Sequence, residues 1–149
     1  MVVVLKGAFI FAADLARRLD LQVEIDFVKL TSYKGVESTG RVAIKKDLEV
    51  DAAGKSLLVV EEIVDTGITL DFLLRYLADK GPESLKVCTL IDKRERRRIE
   101  VPVAYAGLVC NSGFLVGYGL DYNDCCRELD AIYEVADLSF FGGVNGNSM

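Results

Sequence analysis

The sequence predicts an α/β fold with a mainly parallel central sheet flanked by helices, and three observations predict it. The runs Val2–Leu5 and Leu57–Val60 are apolar without polar alternation, as in strands buried on both faces. Each run breaks at a polar turn containing glycine, Lys6-Gly7 in one case and Glu61 to Thr69 in the other. Each turn is followed by apolar residues at helical spacing, so the chain twice reads strand, turn, helix.

The elements follow in order. After Lys6-Gly7, the residues Phe9, Ala12, Ala13, Ala16 and Leu19 mark one helix face, and Arg17 and Arg18 stand near its C-terminus, where the helix dipole favours cations. Val23, Ile25 and Phe27 then alternate with Glu24, Asp26 and Val28, a strand pattern that runs into the polar stretch Thr31 to Gly40, expected to be a mobile loop. Arg41 to Lys45 alternates again as a short edge strand, and Asp51 to Lys55 is a turn. Beyond Leu57–Val60, the leucines at 70, 73, 74 and 77 define a helix ended by Gly81-Pro82. A strand from Leu85 to Ile91 ends at Asp92-Lys93 and the basic run Arg94 to Arg98, and Val103 to Val109 and Phe114 to Val116 are shorter strand candidates. With neither an internal repeat nor a linker, residues 1–149 read as one domain with a flexible, glycine-rich tail from about residue 139.

Composition narrows the chemistry. The 149 residues contain no histidine, which excludes Ser-His-Asp and Cys-His nucleophile pairs and His-ligated zinc, so proton transfer falls to carboxylates, Lys or Tyr. The net charge of -5 argues against a surface devoted to nucleic acid or anionic membrane, while leaving room for a local phosphate site. The four cysteines, Cys88, Cys110, Cys125 and Cys126, form no C-x-x-C pair and are read as reduced thiols of a cytoplasmic protein. No apolar run reaches the roughly 18 residues of a membrane span.

In a parallel sheet, ligands bind beyond the carboxyl ends of the strands, and three strands deliver polar residues there: Lys6-Gly7, Glu61 to Thr69, and Asp92-Lys93. In the turn at 61 to 69, free N–H groups of a helix start, the small Gly67 and the hydroxyls of Thr66 and Thr69 suit a phosphate. Its acids suit sugar hydroxyls or a hard cation, so the expected ligand is a phosphorylated sugar with Mg²⁺. A structural alternative has Asp65 and Thr66 merely capping the helix, but adjacent acids at Glu61 and Glu62 directly after a buried strand bring no structural gain. The segment Phe114 to Asp121 joins an aromatic, two glycines and an acid and is either a base-stacking edge or simple core. The run Lys93 to Arg98 fits a solvated loop or a local polyanion site.

The turn Glu61-Glu62-Ile63-Val64-Asp65-Thr66-Gly67-Ile68-Thr69 resembles the phosphoribosyl-diphosphate motif of the type I phosphoribosyltransferases. Leu5-Lys6-Gly7-Ala8, Ser32-Tyr33, Val87 to Lys93, and Phe114 to Tyr122 with Arg127 are similar, in the same order, to segments of the hypoxanthine-guanine members of that family. The resemblance implies Mg²⁺-dependent transfer of ribose 5-phosphate from phosphoribosyl diphosphate to N9 of a 6-oxopurine. It places Asp65 at purine N7 as general base or acid, and Thr66, Gly67, Ile68 and Thr69 around the 5-phosphate. Lys93 would donate to O6, Phe114 would stack on the base, and Leu115 would offer its backbone to the base edge. Glu61 and Glu62 would hold the ribose hydroxyls, directly or through magnesium, and Asp121 a second magnesium. Lys6, Gly7 and Arg127, assisted by Arg97, would contact pyrophosphate, with Ser32 and Tyr33 at the tip of a closing loop. It further implies a homodimer or homotetramer, no nucleic-acid or membrane partner, and a fold entered after the family's usual N-terminal helix and strand. Glu62 stands where the family usually has Asp. Two other readings share the fold: a regulatory module that contacts nucleic acid through Arg94 to Arg98, and a truncated, weakly active subunit.

Overall fold

A computed structural model describes residues 1–32 and 42–137. The elements are β1 (Val2–Leu5), α1 (Phe9–Arg18), β2 (Asp26–Ser32), β3 (Val42–Lys46), β4 (Ser56–Val64), α2 (Ile68–Ala78), β5 (Ser84–Lys93) and β6 (Tyr105–Cys110), followed by the short strands β7 (Leu115–Val116) and β8 (Tyr133–Glu134). The first six strands form one sheet in the order β3-β2-β1-β4-β5-β6. Its pairs are parallel except for β2 with β3. β7 and β8 pair antiparallel as a separate two-stranded sheet.

Alternating side chains of β1 and β4 serve two cores. Val3 and Val60 face α1 and pack with Ala8 and Ala12. Val2, Val4 and Val59 face the other way and pack with Leu70, Leu73 and Leu77 of α2 and Val87 of β5. Both faces are therefore covered, which is why these strands carry no polar alternation.

From β1 the chain crosses to β2 on one side, and from β4 it crosses to β5 on the other. The neighbours β1 and β4 thus flank the topological switch point, the place where open α/β sheets form their ligand crevice. Val3 lies opposite Val60 in the ladder, so Lys6-Gly7 and the end of β4 open into the same crevice.

Several boundaries differ from the sequence reading. Thr31 and Ser32 belong to β2 because they pair with Ala43 and Val42, and residues 33–41, with most of the expected loop, lie outside the described residues, as does the expected flexible tail. Residues 61–64, read as part of the turn, continue β4, since pairing with β5 persists to Val64 opposite Asp92. β5 likewise runs on to Lys93, opposite Cys110.

Ile91 is fully buried and belongs to the cluster with Leu90 and Leu120 that links β5 to the β7 segment. Ile91→Val is expected to lower stability by about 0.5–1.5 kcal/mol. Urea titration should show a lower midpoint at an unchanged m-value.

Candidate active site

The turn between β4 and α2 is built around backbone, not side-chain caps. Gly67 is the N-cap residue of α2 with φ of 82°, and no side chain caps the helix. The Thr66 Oγ1 is 3.4 Å from the Ile68 N–H, a long contact. The N–H groups of the first turn of α2 therefore remain available to an anion, as at any helix start. A cleft of about 110 Å³ opens here, lined by residues that include Glu61, Asp65, Thr66, Gly67 and Thr69. Larger hollows of about 290 and 520 Å³ lie towards the opposite, N-terminal ends of the strands, but no cluster of phosphate-ready groups converges there.

Three buried side-chain polar atoms among the described residues have no hydrogen-bond partner: Glu62 Oε2, Asp65 Oδ1 and Arg127 Nε. All three belong to residues that the sequence marks for the site. Buried polar groups are normally satisfied, so orphans gathered on site residues mark positions kept for a ligand. The helix-cap alternative for Asp65 is not realised. Its other oxygen, Oδ2, lies 3.4 Å from the Arg96 guanidinium.

Glu61 is 8% exposed, and its Oε1 accepts the Glu62 N–H at 3.0 Å. Burial pushes the Glu61 carboxyl well up, and the adjacent Glu62 charge pushes it further in the same direction. A carboxyl raised on folding binds more protons in the native than in the unfolded state. Stability therefore falls as pH rises from the ordinary value of 4.5 through the raised one. Glu61→Gln is expected to melt higher than wild type at pH 8, by about 2–4 °C for each kcal/mol relieved, and to match it near pH 4. Melting curves across that range check the sign. A wild type that gains stability between pH 5 and 8 relative to the variant would contradict it.

On the other side of the crevice, a β-carbon on Gly7 would lie 2.2 Å from Glu62 Oε1, so a larger residue there would displace the Glu62 side chain. Lys6 Nζ donates to Asp124 Oδ1 at 2.8 Å. Arg127 lies 2.7 Å from Asp121 Oδ1, contacts Asp124 at 3.3 Å and donates to the Gly119 carbonyl at 2.8 Å. The segment around residues 117–127 thus lies over the β1 turn, with Lys6, Arg127, Asp121 and Asp124 in one charged chain. The Tyr118 hydroxyl adds a hydrogen bond to Asp14 of α1.

Past the end of β5, Lys93 Nζ donates to the Gly113 carbonyl at 2.6 Å, beside Phe114. Phe114 is 37% exposed and makes an edge contact with Tyr122 at 5.6 Å between centroids. Leu115, in β7, is partly buried against Leu90, Ile91 and Leu120. Ser32 ends β2, and Tyr33 lies outside the described residues.

Arg97 departs from its expected place at pyrophosphate. Its side chain is 7% exposed, and its guanidinium donates to the carbonyls of Asp65 (2.8 Å), Val64 (2.9 Å) and Lys93 (3.1 Å) and to the Asp92 carboxylate. Sequence reasoning also missed Asp92, Arg96 and Asp124 as partners of site residues. For Asp92 a signal existed, since it is an acid flanked by Ile91 and Lys93 on a strand buried through Ile91. Of the basic run, Lys93, Arg94, Arg96 and Arg97 all engage local acids or carbonyls, while the side chains of Arg94 and Arg96 stay about two-thirds exposed.

A mainly parallel sheet whose switch point gathers a phosphate-ready helix start, paired acids and two cations defines an α/β protein built to hold a phosphorylated, charged ligand. The chain belongs to the phosphoribosyl transferase family, whose domain pattern matches residues 1–123. It is 45% identical over 134 residues to the hypoxanthine-guanine phosphoribosyltransferase of Aquifex aeolicus, a match covering 89% of this chain and 75% of that protein. It is 44% identical over 133 residues to the hypoxanthine-guanine-xanthine phosphoribosyltransferase of Tritrichomonas foetus, covering 89% of this chain and 73% of the relative. The crystal structure of a hypoxanthine-guanine phosphoribosyltransferase from Bacillus anthracis superposes with a TM-score of 0.84 at 44% identity, covering 90% of this chain and 79% of the other. The fold is thus that of the type I phosphoribosyltransferases. Among the described residues, no helix is long and apolar enough to cross a membrane.

Proposed function

We propose that the protein is a purine-salvage transferase that moves the 5-phosphoribosyl group of phosphoribosyl diphosphate to N9 of hypoxanthine or guanine, giving IMP or GMP and pyrophosphate. The observation that carries this reading is the gathering of the orphaned atoms of Glu62, Asp65 and Arg127 around one crevice, in a chain with relatives named for that activity.

In this reading, Thr66, Gly67, Ile68 and Thr69 hold the 5-phosphate, while Glu61 and Glu62 hold the ribose hydroxyls beneath the ring. Lys93 donates to purine O6, Leu115 offers its backbone to the base edge, and Phe114 stacks on the ring. The bond from C1′ to N9 forms as the bond from C1′ to the pyrophosphate oxygen breaks, and the electron pair leaves with pyrophosphate. Asp65 takes the proton from N7, which keeps the base neutral as N9 gains its bond. Positive charge developing on the ribose is stabilised by the acids below it. Lys6, Gly7 and Arg127 receive the leaving group.

The donor set suits Mg²⁺. Glu62 offers an unpaired hard oxygen, yet among the described residues no three acids or other ligands are grouped to hold a metal alone. That combination fits an ion bound through one or two carboxylates and completed by substrate oxygens. Glu61 and Glu62 would hold one ion and Asp121 a second, on the pyrophosphate side. Bound magnesium supplies neutralisation of the leaving pyrophosphate. A single domain acting as a homodimer or homotetramer in the cytoplasm completes the reading.

The deciding experiment supplies phosphoribosyl diphosphate and Mg²⁺ with hypoxanthine, guanine, xanthine or adenine and follows nucleotide and pyrophosphate. IMP and GMP are expected. No product with any base would overturn the assignment.

A further inference from the structure

We propose that Arg97 is a positioning residue that fixes the spacing between Asp65 and Lys93, and so the register of the base against its proton acceptor. The proposal rests on the purine-transfer reading, in which these two side chains address N7 and O6, neighbouring atoms on one edge of the purine. Asp65 lies just past the end of β4 and Lys93 ends β5; Lys93 still pairs with Cys110 of β6, but pairing between β4 and β5 stops at Val64 opposite Asp92, so no ladder bond ties Asp65 to Lys93. Arg97 provides the missing tie. Its Nε donates to the Asp65 carbonyl, and its Nη2 is shared by the carbonyls of Val64 and Lys93 and by Asp92. One planar, nearly buried guanidinium therefore touches the backbone of both base-reading residues. A fork of fixed geometry does this in a way a single ammonium cannot.

The surrounding contacts point the same way. The N–H groups of Arg98 and Ile99 both donate to the Thr66 carbonyl, at 2.9 and 3.1 Å. The Arg97 Cδ packs 3.3 Å from where a Gly67 β-carbon would stand. Asp92 is buried and anchors the guanidinium from below, while Arg94 takes its other oxygen. Residues 97–99 thus brace the phosphate turn from outside, and the charge of Arg97 is balanced within the brace and not offered to solvent.

The test is Arg97→Lys, which keeps the charge that Asp92 needs but removes the fork. Turnover is expected to fall about 10- to 100-fold, because misplacement of reacting groups by around 1 Å costs up to about 10²-fold. KM for phosphoribosyl diphosphate should change less than threefold, and amide exchange across residues 64–69 should quicken about tenfold while the interior of α2 is unchanged. Wild-type turnover, or a KM raised tenfold at unchanged kcat, would overturn the proposal; the second result would return Arg97 to a pyrophosphate contact. If Arg97→Lys fails to fold, the Asp92→Asn/Arg97→Met variant removes both buried charges, and the same predictions apply to it. The exchange readout needs no activity. A wild type that makes no nucleotide refutes the purine reading, whereas unchanged exchange at 64–69 in the variant refutes the brace.

Discussion

Asp65→Asn is expected to bind phosphoribosyl diphosphate and base nearly as wild type does and to turn over about 10²- to 10⁴-fold more slowly, the usual worth of a general acid–base group. The substitution is close to isosteric and removes the negative charge together with the capacity to accept a proton. Folding should survive it. No described hydrogen bond to the Asp65 carboxyl would be lost, since Oδ1 has no partner and Oδ2 has only the ion pair with Arg96 at 3.4 Å. The backbone of residue 65 is held independently by Arg97, so the side chain changes without the turn moving. Rapid-quench single-turnover kinetics, set beside equilibrium binding of each substrate, separate the chemical step from affinity. Wild-type turnover would remove Asp65 from the mechanism.

What the sequence made legible was what short-range patterns encode. The Leu57–Val60 run, the turn and the leucines of α2 are contiguous, and their burial on both sides of the sheet writes itself into an unbroken apolar strand followed by helical spacing. The candidate site residues of β1, β4 and β5 could be singled out because all three are strand ends, and a parallel sheet brings such ends to one rim. The misses have a common cause in contacts between residues far apart in the chain. Arg97 reaches back 32 residues to Asp65, and Tyr118 reaches back 104 to Asp14. The start of β2 was set too early because Val23 and Ile25 alternate correctly. Pairing with β1 nevertheless begins at Asp26, opposite Val2, where the carboxylate takes the N–H groups of Phe27, Glu49 and Val50. A strand of two residues such as β8 has no periodicity to detect.

Gly67→Ala is the second substitution expected to disable the protein, and the cause is steric. At φ of 82° an alanine incurs about 1–2 kcal/mol for the left-handed backbone alone. Its β-carbon would also stand 2.1 Å from the Ile99 carbonyl oxygen, a backbone atom. That carbonyl has little room to retreat, because Arg98 and Ile99 are hydrogen-bonded to Thr66 and Arg97 is locked to Asp65 and Asp92. The turn must therefore move by a sizeable fraction of an ångström, and with it the helix start proposed to hold the 5-phosphate. Activity is expected to fall by about 100-fold or more, with KM for phosphoribosyl diphosphate raised as well, because here the anion site itself shifts. Gly54→Ala supplies the control. Gly54 has φ of 69°, but nothing lies within 4 Å of its added β-carbon. It should lose only about 1–2 kcal/mol of stability while keeping turnover near that of wild type. If Gly67→Ala proved as benign as Gly54→Ala in both stability and turnover, close approach of residues 97–99 could not be what shapes the phosphate turn.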